Sequence, residues 1–250
     1  MSLTHLAGIR AVVFDAVGTL LEPDPKPAVA YSEIGARHGS RLPLAVIASG
    51  FREAFDAQEQ FDIARLLVTD ETREHARWRA IVGSVLHDVV DRDACFQELW
   101  QHFACSTNWK LAPGVGQLLT NLREHQLKLA VASNFDGRLR SVLGGFPEGR
   151  LLHDIVISSE VGWRKPAPEF FAALCRRLEC EPGEILFIGD SWANDYEGAR
   201  QAGLQPLLLD PFGKHADEEC RRIEDLAELL GVQKRTSETN SRRITAFGKR

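Results

Sequence analysis

The amino-acid sequence predicts an α/β fold, a parallel-sheet core into which a mostly helical domain is inserted after the first strand. Three observations carry this. Short apolar runs alternate with helical patterns from residue 127 onward, as parallel sheets with crossover helices require. A similar run stands alone near the start, at residues 9–14 (IRAVVF). Between the two lie about ninety residues of helical patterning with almost no strand-like run.

Taken in order, residues 9–14 predict the first strand. Residues 22–111 carry helical stretches such as REAFDAQEQF, REHARWRAIVGSVLHDVV and DACFQELWQHF. Further strands are predicted over 127–132, 155–158, 185–188 and 206–209. Helices are predicted over 116–125, 168–178 and 194–202, with Pro113-Gly114 and Pro182-Gly183 marking joins. The organisation expected is a core of residues 1–21 and 112–232, a helical domain over 22–111, and a tail over 233–250.

Composition narrows the classes. The chain has 250 residues, 44% hydrophobic and 26% charged, which excludes collagen-like, disulfide-scaffold and largely disordered classes. No apolar stretch approaches the roughly 20 residues of a membrane-spanning helix, and the run near the start is too short for a signal-peptide core. The five cysteines contain no CxxC pair and read as reduced thiols, so a cytoplasmic location is expected. The eight histidines show no zinc-ligand spacing. The formal charge is −5, but residues 233–250 alone carry +5, leaving −10 for the rest. An acidic body argues against a nucleic-acid partner, and the basic, aperiodic end reads as a frayed tail.

Ligands of open parallel sheets sit beyond the carboxyl ends of the strands, and four such places stand out. In AVVFDAVGTL, Asp15 follows a buried run and Gly18 permits a tight turn. That carboxylate suits a nucleophile or metal ligand, or else caps the turn. In LAVASNFD, Ser133 and Asn134 end a strand where hydroxyl and N–H groups suit an anion, or a simple turn. In GWRKPAPEFF, Lys165 precedes a proline that fixes the chain. It could neutralise a carboxylate and a phosphate together, or point to solvent. In ILFIGDSWANDYEGAR, Asp190 and Asp195 crowd one strand end beside Asn194, where they could converge on a hard, oxygen-seeking cation such as Mg²⁺, or simply suit a helix N-terminus.

In this order and together, the four motifs resemble those of the haloacid dehalogenase-like hydrolase superfamily, in particular members with a helical cap inserted after the first strand. The resemblance covers roughly residues 9–212. It implies a Rossmann-like core, a cap that closes over the substrate, bound Mg²⁺, and phosphatase activity on a small phosphorylated molecule. It further implies that Asp15 attacks phosphorus to form an aspartyl-phosphate. Mg²⁺ would be held by Asp15, the Val17 carbonyl, Asp190 and Asp195. Ser133, the Asn134 backbone and Lys165 would hold the phosphate, with Lys165 also orienting Asp15.

One position departs from the pattern. Phosphatases of this kind carry a second Asp two residues after the nucleophile, and here that residue is Val17. Valine cannot protonate a leaving group or activate water, and that help is typically worth about 10²- to 10⁴-fold. Three readings follow: a phosphatase with weakened acid–base catalysis, a binding protein with vestigial catalysis, and a 2-haloacid dehalogenase. The last would also lack the second Asp, but an arginine to cradle halide is expected after the first motif and only Arg37 is available. Arg77, Trp78, Arg79 and Trp100 are candidates for a substrate-facing cap surface, or for ordinary amphipathic packing. Oligomeric state is not encoded in any recognisable pattern.

Overall fold

The structure, a computed structural model, describes residues 6–230, so the basic tail over 233–250 lies outside the described residues. Its centre is a six-stranded, all-parallel sheet of order β5-β4-β1-β6-β7-β8. The strands are β1 Ala11–Phe14, β4 Lys128–Ser133, β5 Asp154–Ile157, β6 Ile185–Gly189, β7 Gln205–Leu209 and β8 Arg222–Ile223. Five of these fall on the predicted runs. The two-residue β8 at the sheet edge was not predicted.

Period-two alternation splits the apolar strand residues between two faces. Val12, Phe14, Leu129, Val131, Leu186 and Ile188 face one layer, which includes α5 (Val115–Glu124) and α6 (Arg138–Gly144). Ala11, Val13, Ala130, Ala132, Ile185 and Phe187 face the other, built on α8 (Pro168–Leu178), which follows the one-turn α7 (Ser158–Val161). Phe170, Phe171, Leu174 and Leu178 of α8 recur at helical spacing and are all buried. Both faces are covered, which is why these strands are uniformly apolar.

Between β1 and β4 the chain builds four helices: α1 Pro27–Arg37, α2 Leu44–Ala64, α3 Glu71–Val85 and α4 Arg92–His102. Pro27 occupies the first turn of α1, where no N–H is needed. Asp70 caps α3 by accepting from the Arg73 N–H at 2.7 Å, and Asp91 caps α4. The helices share a hydrophobic cluster of their own, around Tyr31, Ile34, Ile47, Ile81, Val85, Phe96 and Leu99. The chain enters and leaves this layer through an antiparallel ribbon, β2 Leu21–Pro23 with β3 Trp109–Leu111, which the sequence pattern does not reveal. No helix among the described residues is long and apolar enough to cross a membrane.

The helix predicted over 194–202 is interrupted. A wide π-helical turn, Trp192–Glu197, comes first, with the Tyr196 N–H reaching back to the Ser191 carbonyl at 3.1 Å, and only then α9, Gly198–Gln201. Such one-turn π segments frequently mark functional sites, and this one carries Asp195.

Candidate active site

The sheet order places β1 between β4 and β6, and that adjacency brings three motifs together. Phe14 is level with Val131 on one side and Ile188 on the other. The Asp15 N–H continues the ladder to the Ile188 carbonyl at 2.8 Å. Asp15, Ser133 and Asp190 therefore emerge at neighbouring strand ends, on the floor of a cavity of about 440 Å³ that also receives Lys165, Asn134, Asp195 and Val17.

Lys165 is the hub. Only 2% of its side chain is exposed, and its Nζ donates to Asp15 Oδ1 at 2.7 Å, Asp195 Oδ1 at 2.6 Å and the Ala132 carbonyl at 2.9 Å. Burial alone would lower its pKa. The charges of Asp15 and Asp195 outweigh that and hold the ammonium above its ordinary value. Asn134 grips the backbone of the same residue: its Oδ1 accepts from the Lys165 N–H at 2.7 Å, and its Nδ2 donates to the Lys165 carbonyl at 2.9 Å. The side chain of Asn134 is thus committed to positioning Lys165, a role its motif did not suggest.

Asp195 is buried, and its Oδ2 accepts the Ser191 N–H at 3.0 Å. Gly189 has no side chain because the Asp195 carboxylate fills the space a Cβ would need. Gly18, at φ +92°, plays the same part for Asp190: a Cβ there would stand 2.5 Å from Asp190 Oδ2. Asp15, Asp190 and Asp195 each offer an oxygen within 4.8 Å of the others. Three carboxylates face one ammonium. Asp190 is the exposed member of the three, yet desolvation where it meets the cavity floor, then repulsion from Asp15 and Asp195, pushes it up to about 7. Desolvation likewise pushes Asp195 up to about 6, against the pull of Lys165. An all-oxygen donor set with excess negative charge is the chemistry a hard divalent cation takes.

Above the floor the cavity is lined by Phe51 and Phe55 of α2, Trp78 of α3, and by Phe103, Trp109 and Phe135. Of the four residues considered for such a surface, Trp78 alone lines the cavity. Arg77 is buried in an ion network, the exposed Arg79 pairs with Asp93, and Trp100 lies under the Arg138 guanidinium at 3.5 Å from its ring centroid. Neighbouring residues on a helix point about 100° apart, so one segment cannot deliver all of them to one wall. Arg37 pairs with Glu98 and does not line the cavity.

The residue before the central lysine went unnoticed in the sequence. Arg164 is buried and pairs with Glu74, and with Glu59 at 3.1 Å, while Arg77 pairs with Glu59 and Asp62, and Arg73 Nε with Asp62 at 2.8 Å. Three guanidinium groups balance three carboxylates. Through Arg164, this network fastens α2 and α3 to the Lys165 loop.

The model of the haloacid dehalogenase-like hydrolase family matches residues 9–203. The chain belongs to this family. Haloacid dehalogenase-like hydrolase domain-containing protein 3 of Bos taurus is 30% identical over 241 residues, covering 91% of this chain and 95% of its own. The glyceraldehyde 3-phosphate phosphatase of Methanopyrus kandleri is 28% identical over 223 residues, 88% of this chain and 92% of its own. Among solved structures, the HAD-hydrolase YfnB of Bacillus subtilis bound to magnesium shares the fold, with a TM-score of 0.73 at 21% identity over 89% of this chain and 97% of that one. As a member of this family the chain is a hydrolase with a Rossmann-like core.

Proposed function

We propose that this hydrolase is a Mg²⁺-dependent phosphatase that acts on a small phosphorylated molecule through a phosphoryl group carried by Asp15, in the absence of a general acid at position 17. The observation that carries the reading is the Lys165–Asp15–Asp190–Asp195 constellation, which gathers at the adjacent ends of β1 and β6. The phosphatase relative supports the reaction class.

Lys165 holds Asp15 Oδ1, which leaves Oδ2 to attack phosphorus. The P–O bond to the leaving group breaks, and the departing oxygen keeps the electron pair. Water then attacks phosphorus, cleaves the aspartyl-phosphate and restores the Asp15 carboxylate. Ser133 and Lys165 line the place where phosphoryl oxygens would lie, and Lys165 offsets their charge without reorganisation. Asp15, Asp190, Asp195 and the Val17 carbonyl would hold Mg²⁺, which when bound neutralises repulsion between carboxylate and phosphate. Residues 22–111 would act as the cap, with Arg164 as its tie to the catalytic loop. Val17 lines the cavity with a side chain that can neither give nor take a proton.

The haloacid dehalogenase alternative is disfavoured by the absence of Arg37 from the cavity and by an acidic cluster that a halide-displacing site does not need. The test is turnover of p-nitrophenyl phosphate and acetyl phosphate with and without Mg²⁺, beside Asp15→Asn. Turnover that requires both Mg²⁺ and Asp15 supports the reading. Turnover indifferent to both, or Mg²⁺ binding with no turnover, overturns it, and metal-free release of chloride from 2-chloropropionate would put the dehalogenase in its place.

A further inference from the structure

The upper cavity and position 17 constrain the leaving group independently, and they agree. We propose that the phosphate is carried on an aromatic group, an aryl or aromatic acyl phosphate, and that Trp78 sets this preference; this rests on the phosphatase reading above.

The first constraint is the wall. Phe51, Phe55 and Trp78 form a run of rings, with centroids 6.1 and 6.3 Å apart, on the helical layer. Phe103, Trp109 and Phe135 form a second run at 6.1 and 6.0 Å, two of them edge-on to Trp109. All six also line the cavity, so an aromatic guest can meet them in stacked or edge-to-face contact. The neutral polar residues that line the cavity, Ser133, Asn134, Ser191 and Asn194, all belong to the floor. Among the described residues, the upper wall thus offers no hydroxyl or amide side chain for a polyol.

Nor does it offer a spare charge. Arg138 projects into the cavity, but its Nε and Nη2 both bond the Asp136 carboxylate at 2.7 Å. Glu59 is shared by Arg77 and Arg164, and Arg164 is further held by Glu74. A second phosphate or a distal carboxylate would find these cations already neutralised, with only Arg138 Nη1, 3.4 Å from the Trp100 carbonyl, left to meet it. An uncharged ring needs no counter-charge at all.

The second constraint is Val17. Without a proton donor the leaving oxygen departs as its anion, so that anion must be only weakly basic. A phenol, with a pKa near 10, or a carboxylic acid, near 4, meets that demand without help. An aliphatic alcohol does not.

The deciding comparison uses benzoyl phosphate against acetyl phosphate with the full-length protein and Mg²⁺. Both leaving groups are carboxylates of similar basicity, so the missing acid affects them alike and only the ring differs. We expect kcat/KM about tenfold higher for benzoyl phosphate, mostly through KM, and a ratio that shrinks toward one in Trp78→Ala and less in Trp78→Phe. Equal rates in the wild type, or a ratio untouched by Trp78→Ala, overturn the proposal while leaving the phosphatase reading intact. If neither compound is turned over, the phosphatase reading falls. The ring preference is then read from binding of phenylphosphonate against methylphosphonate: about tenfold tighter sustains it and equal affinity overturns it.

Discussion

Replacing Lys165 by Met tests the electrostatics of the site without touching the nucleophile. The ammonium makes three short contacts, with Asp15, Asp195 and the Ala132 carbonyl, and both carboxylates are nearly as buried as the lysine. Methionine keeps most of the volume and removes every donor. Two buried carboxylates are then left facing each other and Asp190. Removing one partner of a buried ion pair typically costs about 3–5 kcal/mol. In the cation-free protein we expect a loss in that range, read from the urea midpoint in the presence of a chelator. The same substitution makes the cluster more negative, so Mg²⁺ should bind it more tightly. At about 100 times its Kd, a cation contributes about 2.7 kcal/mol to the wild type. At that same concentration Lys165→Met should gain more, and the gap between the two proteins should narrow. Turnover with Mg²⁺ should fall. A cation-free loss under about 1 kcal/mol, or a loss that Mg²⁺ leaves unchanged, would refute the view that Lys165 is the counter-charge of this cluster.

Two further predictions follow from the same geometry. Val17→Asp restores an acid beside the nucleophile and should speed hydrolysis of alkyl phosphates by something on the order of 10²-fold or more, and that of p-nitrophenyl phosphate far less; equal gains would show that position 17 is not where leaving groups are protonated. Asp190 and Asp195 are raised in the fold, to about 7 and about 6, so the folded protein without cation holds their protons longer than the unfolded chain does. Their contribution to stability should therefore decline as pH rises from about 4 to about 7. A cation needs them ionised, so the rise in Tm caused by Mg²⁺ should grow between pH 5 and 8, and a rise independent of pH would contradict this.

The sheet was legible because its strands are buried on both faces and so announce themselves as apolar runs. Three of the four motifs were legible because each follows such a run by one or two residues, and strand order then brings those three to adjacent ends; Lys165, seven residues past the run at 155–158, stood out only by the proline that follows it. β2 and β3 were not legible, since three-residue strands with one buried position each leave no periodic trace. The π-helical turn at Trp192–Glu197 hid for a different reason. Its acidic start and Ser191 cap read like an ordinary helix N-terminus, and the widening that turns Asp195 onto Lys165 has no compositional sign. Arg164 and its partners were invisible because Glu59 and Glu74 lie 105 and 90 residues away in the chain. A charged residue in a helical pattern looks solvated until its partner is known. Of the aromatic wall only Trp78 was a candidate in the sequence; nothing there separates Phe51 and Phe55 from the rest of the helical patterning.

Phosphorylation of Asp15 is the central step of the proposed reaction. An acid normally found at position 17 would help water in the second step as well as the leaving group in the first, so with Val17 in its place the phosphorylated form should accumulate when the leaving group is good. The intact mass of the protein, quenched in acid during turnover of acetyl phosphate with Mg²⁺, should show the addition of one phosphoryl group, mapped to Asp15 and lost in Asp15→Asn. Release of phosphate with no such adduct, or an adduct that persists in Asp15→Asn, would contradict it.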